Sequence, residues 1–156
     1  MLDDNFPERI DHLGWRLWIA ARWWKATFEA RMGEAGYGWF SEAKSGLLGH
    51  LGSEGAKQSD LARATGLSKQ AVQQHVDELV LHGAVRRQAS AADARVRIVR
   101  LTAKGLAAAR AANAVKSAIE GEARAKLGDD RTLNLLDALS DLADGQTSAP
   151  QGAGKS

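Results

Sequence analysis

Residues 59–83 read SDLARATGLSKQAVQQHVDELVLHG. Ser59 and Ser68 carry hydroxyls that accept a hydrogen bond from a free backbone N–H at a helix start, so each predicts the beginning of a helix. Glycine tolerates the backbone conformations of tight turns, and Gly66 therefore separates the two helices. The stretch predicts two short helices joined by a glycine turn, which cover residues 60–65 and 69–81.

The second predicted helix has one apolar and one polar face. Its apolar stripe consists of Val72, Val76, Leu79 and Val80, and its polar face consists of Lys69, Gln70, Gln73, Gln74 and Asp77. Glutamine amides pair bidentately with adenine in the major groove, and a lysine near the helix start reaches a guanine or a phosphate. Solvent-exposed helices carry the same residues without contacting DNA, so this helix alone leaves both interpretations open.

The following segment is unusually basic. Residues 84–101 are rich in Val and Ile, alternate partly with Arg and contain a polar turn at 90–94, a pattern that predicts a two-stranded hairpin. Within fifteen residues the only acid is Asp93, beside the arginines Arg86, Arg87, Arg95, Arg97 and Arg100. Clustered arginines repel one another, and binding to a polyanion compensates this repulsion. A thin loop with arginine at its tip also fits the minor groove.

The charge distribution along the chain agrees with a DNA-binding lobe. Residues 55–110 contain ten Lys/Arg and four Asp/Glu, whereas the segments before and after are both net acidic. Phosphate neutralisation by Lys and Arg supplies much of the affinity for DNA. A solvated basic surface is the alternative interpretation.

The rest of the chain predicts mainly helices. Apolar spacings of three and four predict a helix over residues 6–32, with a shorter one over 41–51. A long Ala-rich helix is expected to follow Thr102 to about residue 127, and a last helix to begin at Asp129. The apolar faces of the first and last helices, the latter with Leu133, Leu136 and Leu139, exceed what a monomer covers and predict a dimer. We expect the tail, residues 145–156, to be disordered.

Composition argues against several function classes. The chain has no cysteine, which excludes disulfides, thiolate nucleophiles and Cys-type zinc sites. His75 and His82 alone make a poor metal site, and we expect them to be solvated or to cap a helix. No catalytic triad, phosphate-binding loop or paired carboxylates stand out, so we predict no enzyme, no metal and no cofactor. Without a long apolar run or a basic signal segment, the protein is expected to be cytoplasmic with no membrane partner.

Six blocks of sequence, in this order and spacing, resemble one known family. They are SDLA (59–62), GLSK (66–69), VDEL (76–79), GAVRR (83–87), DAR (93–95) and LTAKG (101–105). Together they resemble the MarR family of bacterial transcriptional regulators. The resemblance implies that residues 69–81 form the recognition helix, that Asp93 orients Arg95 at the tip of a wing, and that the terminal helices form a dimer.

The aromatic residues have two interpretations. Four of the five tryptophans, Trp15, Trp18, Trp23 and Trp24, fall on more than one face of the first helix, and packing in a dimer accounts for them. Because members of the resembled family often bind small aromatic acids, the second interpretation is an effector pocket. Its candidate ligand-binding residues are Trp18, Tyr37, Trp39, Phe40 and His50.

We therefore predict one mainly α winged helix-turn-helix domain with a small β-hairpin wing over residues 1–144. Its DNA-binding lobe is expected at about 55–102, and its dimerisation helices at about 6–32 and 102–144. The predicted function is that of a homodimeric, sequence-specific regulator, a repressor relieved by a small-molecule effector, which binds an inverted repeat in double-stranded DNA. The alternative is an architectural or protein-interaction module without sequence choice. The candidate DNA-binding residues are Ser68, Lys69, Gln70, Gln73, Gln74, Arg87, Asp93, Arg95 and Arg97.

Overall fold

The computed structural model describes residues 11–144. This part of the chain forms six helices and a three-stranded sheet, in agreement with the expected fold class. The elements are α1 (Leu13–Glu34), α2 (Glu42–Gly49), β1 (Ala56–Lys57), α3 (Gln58–Thr65), α4 (Lys69–Leu81), β2 (Val85–Ala89), β3 (Arg97–Leu101), α5 (Ala103–Leu127) and α6 (Asp129–Ala143). The expected helical turn at residues 6–10 and the expected disordered tail at 145–156 lie outside the described residues.

Side-chain caps set where most helices begin. The hydroxyls of Ser68 and Thr102 accept from the backbone N–H of Ala71 and Gly105, each at 3.1 Å, so these two predicted starts are confirmed. The first helix begins later than expected, because Nδ1 of His12 accepts from the Trp15 N–H at 3.2 Å and caps the helix there. Local hydrogen bonding therefore fixes the start of the long helices that flank the lobe.

The prediction that Ser59 caps α3 is wrong. The helix begins two residues earlier than predicted, at Gln58, and its N-cap Lys57 makes no side-chain capping bond. Lys57 belongs to β1, which pairs with β3 through Ala56 opposite Val99 and Lys57 opposite Ile98. Because the chain passes directly from this strand into the helix, a long-range strand pairing determines the helix start.

The sheet has the order β1–β3–β2, and all its neighbouring strands are antiparallel. The predicted hairpin is present as β2 and β3, with Arg86 opposite Arg100 and Arg87 opposite Val99. Successive side chains of a strand point to opposite faces, so Arg86 and Arg100 share one face of the sheet while Arg87 lies on the other. Strand β1 could not be predicted from the sequence, because two residues are too few to show alternation.

One core joins the predicted DNA-binding lobe to the long helices. Its buried members include Phe28 and Met32 of α1, Leu47 and Leu48 of α2, Leu61 of α3, Val72, Val76 and Leu79 of α4, Val85 and Val99 of the sheet, and Ala108, Ala112 and Ile119 of α5. Of the predicted apolar stripe, Val72, Val76 and Leu79 are buried, whereas Val80 is 37% exposed. Successive helix residues differ by about 100°, which carries Val80 away from the face of Leu79.

Two helices present apolar side chains to solvent. On α1 these are Leu13, Leu17, Trp18, Ile19 and Trp23, and on α6 they are Leu133, Leu135, Leu136, Leu139 and Leu142, all between 37% and 62% exposed. Helix α6 contacts α5, and Thr132 is the one α6 residue that is buried. Across residues 11–144, no helix combines the length and apolarity that a bilayer crossing requires.

Candidate nucleic-acid interface

Helix α4 presents its predicted polar face to solvent. The tight turn before it depends on Gly66, whose backbone is left-handed with φ of 70°. Packing of Val72 and Val76 into the core turns Lys69, Gln70, Gln73, Gln74 and Asp77 outward, where all five are exposed. A helix with buried apolar residues on one side and long hydrogen-bonding side chains on the other has the form that enters a major groove.

Four side chains connect this helix to α3 and to the wing. Gln73 donates its amide N–H groups to both carboxylate oxygens of Asp77, at 2.9 and 3.0 Å, and accepts from Gln58 at 2.7 Å. Arg87 on β2 donates to Asp77 at 2.6 Å and to Gln58 at 3.2 Å. The hydrogen bond from Gln73, and then that from Arg87, lower the pKa of Asp77. We call Gln58, Gln73, Asp77 and Arg87 the helix–wing network.

The helix–wing network bears on two candidate DNA-binding residues. Gln73 and Arg87 already have their polar atoms engaged inside the lobe, and the Arg87 side chain is only 27% exposed. Lys69 and Gln70 are exposed and make no side-chain hydrogen bond with the described residues. Gln58 could not be identified from the sequence, because its role depends on the fold bringing it within hydrogen-bond distance of Arg87 on β2.

A buried lysine links α4 to α2. Lys44 is 8% exposed, and its ammonium contacts Glu78 at 2.5 Å and donates to the backbone oxygen of Trp39 at 2.9 Å. The interaction with Lys44, followed by that with Gln74, lowers the pKa of Glu78. Gln74 donates a single long bond to Glu78, at 3.3 Å, and is less constrained than Gln73. Lysine is seldom buried, so nothing in its sequence context indicated this role.

The wing tip brings Asp93 and Arg95 together, as the family resemblance implies. Asp93 accepts from the Arg95 backbone N–H at 3.0 Å and from its guanidinium at 3.2 and 3.3 Å. The hydrogen bond from the Arg95 side chain, and then that from its backbone, lower the pKa of Asp93. The Arg95 side chain is 91% exposed, and Arg97 at the start of β3 is also exposed. Asp93 therefore holds both the turn and the direction of the guanidinium.

The candidate effector residues fall into separate places within one protomer. Three of them lie together: the ring centroid of Trp39 is 6.1 Å from that of Tyr37 and 5.5 Å from that of Phe40. Phe40 is a core residue. His50 ends α2 as its C-cap. Trp18 lies on the exposed part of α1, about 24 Å along the helix axis from the C-terminal residue Glu34, and its ring stacks on that of Trp15.

Two histidines, one in α4 and one at its C-cap, have different environments. His82 caps the C-terminus of the helix, as expected, and its ring stacks on Trp39 at 4.7 Å. His75 is only partly exposed, and its Nδ1 is buried without a hydrogen-bond partner among the described residues, so the expectation of solvation is wrong there. No group of three or more metal-ligating side chains occurs in residues 11–144.

The acidic residues of the interface predict a loss of stability in acid. The pKa values of Asp77, Glu78 and Asp93 are all lowered by folding, so the folded state binds fewer protons than the unfolded state in acid. These carboxylates stabilise the fold at pH values above the pKa that they have in the unfolded state. The stabilisation is lost as the pH falls through the pKa that they have in the folded state. We expect urea-unfolding free energies to be flat from about pH 5 to 8 and to decline below about pH 4. In Asp77→Asn the decline should be shallower, and an unchanged decline would contradict the role of its ion pair.

Known proteins resemble this chain in both sequence and fold. Residues 41–96 match the model of the MarR family. A probable transcriptional regulator from Pseudomonas aeruginosa is 27% identical, with a TM-score of 0.73 over 85% of this chain and 97% of that one. The repressor CouR of Rhodococcus jostii, solved with a 23-mer DNA duplex, is 25% identical, with a TM-score of 0.75 over 85% and 92%.

A third similar structure carries a small molecule. A MarR family protein of Mycobacterium tuberculosis, in complex with salicylic acid, is 27% identical, with a TM-score of 0.63 over 90% of this chain and 99% of that one. No curated protein sequence matches the chain. These similar proteins are transcriptional regulators and not enzymes. Residues 41–96 thus match the MarR family, and residues 11–144 have the fold of the winged helix-turn-helix transcriptional regulators that resemble this chain.

Proposed function

We propose that the protein is a homodimeric repressor that binds an inverted repeat in double-stranded DNA and is released by a small-molecule effector. The observation that supports it most strongly is the helix–wing network, which ties the polar face of α4 to the arginine-bearing wing. Helix and wing then form one rigid surface for two neighbouring grooves. Rigid placement of contact groups reduces the entropy that binding costs.

The candidate residues take different roles in this proposal. Lys69, Gln70 and Gln74 at the exposed face of α4 read base edges, while Ser68 and Arg97 approach phosphates. Arg95, oriented by Asp93, enters the minor groove or contacts its phosphates. Gln73 contacts bases only with an amide oriented by Gln58 and Asp77, and Arg87 acts on DNA mainly by positioning α4 against β2.

The first prediction of this proposal concerns base preference. Gln74→Ala and Gln73→Ala should each weaken binding at the preferred site by about 1 to 3 kcal/mol, the discrimination of a bidentate base contact. Binding to unrelated duplexes should barely change, and Gln88→Ala, an exposed glutamine on β2, is the matched control. Fluorescence anisotropy with both duplexes measures this. Equal losses on both would make the glutamines positioning residues and transfer base reading to Lys69 or Gln70.

The dimer is proposed from the exposed apolar faces of α1 and α6. A second copy that covers them places two recognition helices on one side, spaced about 34 to 36 Å apart, or one turn of DNA. Light scattering should give twice the chain mass at micromolar concentration. Leu136→Asp on α6 should shift the mass toward one chain, whereas Leu81→Asp, an 81% exposed leucine on α4, should not. A single-chain mass for the parent contradicts the dimer.

Sequence selection tests the proposed function as a whole. Duplexes recovered from a random pool should share an inverted repeat whose half-sites are centred about 10 base pairs apart. Enrichment of no common sequence would favour the architectural alternative. Release by an effector is proposed from the relatives, one of which is solved with salicylic acid. Salicylate should therefore dissociate the selected duplex, and no dissociation would limit the proposal to DNA binding without an aromatic-acid effector.

A further inference from the structure

A cleft lies on the face of the sheet turned away from the helix–wing network. It has a volume of about 500 Å³, and its walls come from the loop before β1, from β2 and β3, and from the start of α5. This volume falls within the range of small-molecule sites. Its polar and apolar lining includes Ser53, Arg86, Arg100, Leu101, Thr102 and Leu106.

Two like charges lie side by side on the sheet wall of this cleft. Arg86 and Arg100 are directly opposite in the β2–β3 register, and directly opposed side chains on one face have Cβ atoms about 5 Å apart. Like charges in this arrangement destabilise a sheet. Arg87, the neighbouring arginine, lies on the other face and is neutralised by Asp77, so the cleft arginines are separate from the helix–wing network.

The charge of the arginine pair is only partly balanced. Arg100 lies 3.6 Å from the carboxylate of Glu54, which is 86% exposed, and donates to the Ser53 backbone oxygen at 3.4 Å. Arg86 is exposed and has no acidic partner within ion-pair distance among residues 11–144. A phosphate monoester carries a charge of about −1.5 to −2 and three acceptor oxygens. It can therefore balance and hydrogen-bond two guanidiniums, whereas one carboxylate balances only one of them.

We propose that this cleft binds a small phosphate monoester with an apolar body. The phosphate lies between the guanidiniums of Arg86 and Arg100, and the body lies against Leu101 and Leu106, the latter 44% exposed. Thr102 and the first residue of α5 form the adjoining wall, where free backbone N–H groups add to the positive potential. The proposal goes beyond the DNA-binding function and does not rest on it.

Calorimetric titration of the full chain at constant ionic strength tests the proposal. The probes are phenyl phosphate, inorganic phosphate, which has the head group alone, and benzoate, which has the ring with one charge. Phenyl phosphate should bind tightest, and Arg86→Gln and Arg100→Gln should each weaken it about tenfold or more. Arg63→Gln, an arginine of α3 that is 79% exposed, should leave it unchanged. Both cleft variants should melt no lower than the parent, because each removes a like-charge repulsion.

Several results would overturn the proposal. These are no binding of phenyl phosphate at millimolar concentration, equal binding of benzoate, or unchanged affinity in both cleft variants. The phosphates of DNA are the other source of the same chemistry. If Arg86→Gln weakened binding to a random duplex as much as Arg95→Gln does, the cleft would be a DNA-backbone contact and not a site for a free phosphate ester.

Discussion

Replacing Gly105 with alanine is expected to lower the free energy of unfolding by about 3 kcal/mol or more. A Cβ at this position would lie 1.9 Å from the Ala84 carbonyl oxygen and 2.9 Å from a methyl carbon of Leu101. The Ala84 oxygen cannot move aside freely, because it accepts from the backbone N–H and the hydroxyl of Thr102, at 3.1 and 3.0 Å. Helix α5 would therefore have to separate from the sheet.

A second glycine of the same helix provides the control. Gly121 is exposed, and a Cβ there would meet nothing within 4 Å. Gly121→Ala should stabilise the protein by up to about 1 kcal/mol, the difference in helix propensity between the two residues. Free energies of unfolding in urea for both variants separate the effect of close packing at Gly105 from the effect of helix propensity. Gly105→Ala as stable as the parent would mean that α5 and the sheet do not approach each other this closely.

Arg95→Ala is expected to cause the largest loss of DNA affinity among single wing variants. Its guanidinium is exposed and held by Asp93, so truncation removes one oriented cation from each half of a dimer. A charge-assisted hydrogen bond contributes about 1.5 to 3 kcal/mol, and the salt slope should become shallower by about 0.9 for each phosphate that is no longer neutralised. Affinity measured across a salt series gives both quantities.

The controls for Arg95 distinguish DNA binding from folding. Thermal melts should match the parent, because the Arg95 side chain is 91% exposed and packs in no core. Arg110→Ala, an exposed arginine of α5, should bind DNA like the parent. Asp93→Ala should show a milder defect, with a melting change only if loss of the turn bond deforms the wing. If Arg95→Ala binds normally at every salt concentration while Lys69→Ala does not, DNA binding belongs to α4 alone.

Features of the fold that depend on neighbouring residues could be predicted from the sequence. Ser68 and Thr102 lie at the helix starts where their hydroxyls indicated them, and the left-handed Gly66 forms the turn between α3 and α4. The alternation of apolar and arginine residues identified β2 and β3. Each of these signals is contained within a few consecutive residues, so the structure that it predicts does not depend on how distant parts of the chain pack.

Features that depend on distant residues could not be predicted. The start of α3 follows from pairing of Lys57 with Ile98, which overrides the local signal of Ser59. The same holds for the helix–wing network, since Gln58 meets Arg87 only after the sheet forms. The family resemblance supplied the pairing of Asp93 with Arg95, whereas charge alone indicated only a basic strip.

The most direct test of sequence-specific recognition is competition between two duplexes at moderate salt. The labelled duplex carries the inverted repeat selected by this protein, and the competitors are the same duplex unlabelled and a scrambled duplex of equal length and composition. Specific sites bind at least about 10³-fold tighter than non-specific ones, so the scrambled competitor should require at least about that excess. Equal competition by both duplexes would contradict a sequence-specific regulator and favour binding to the DNA backbone alone.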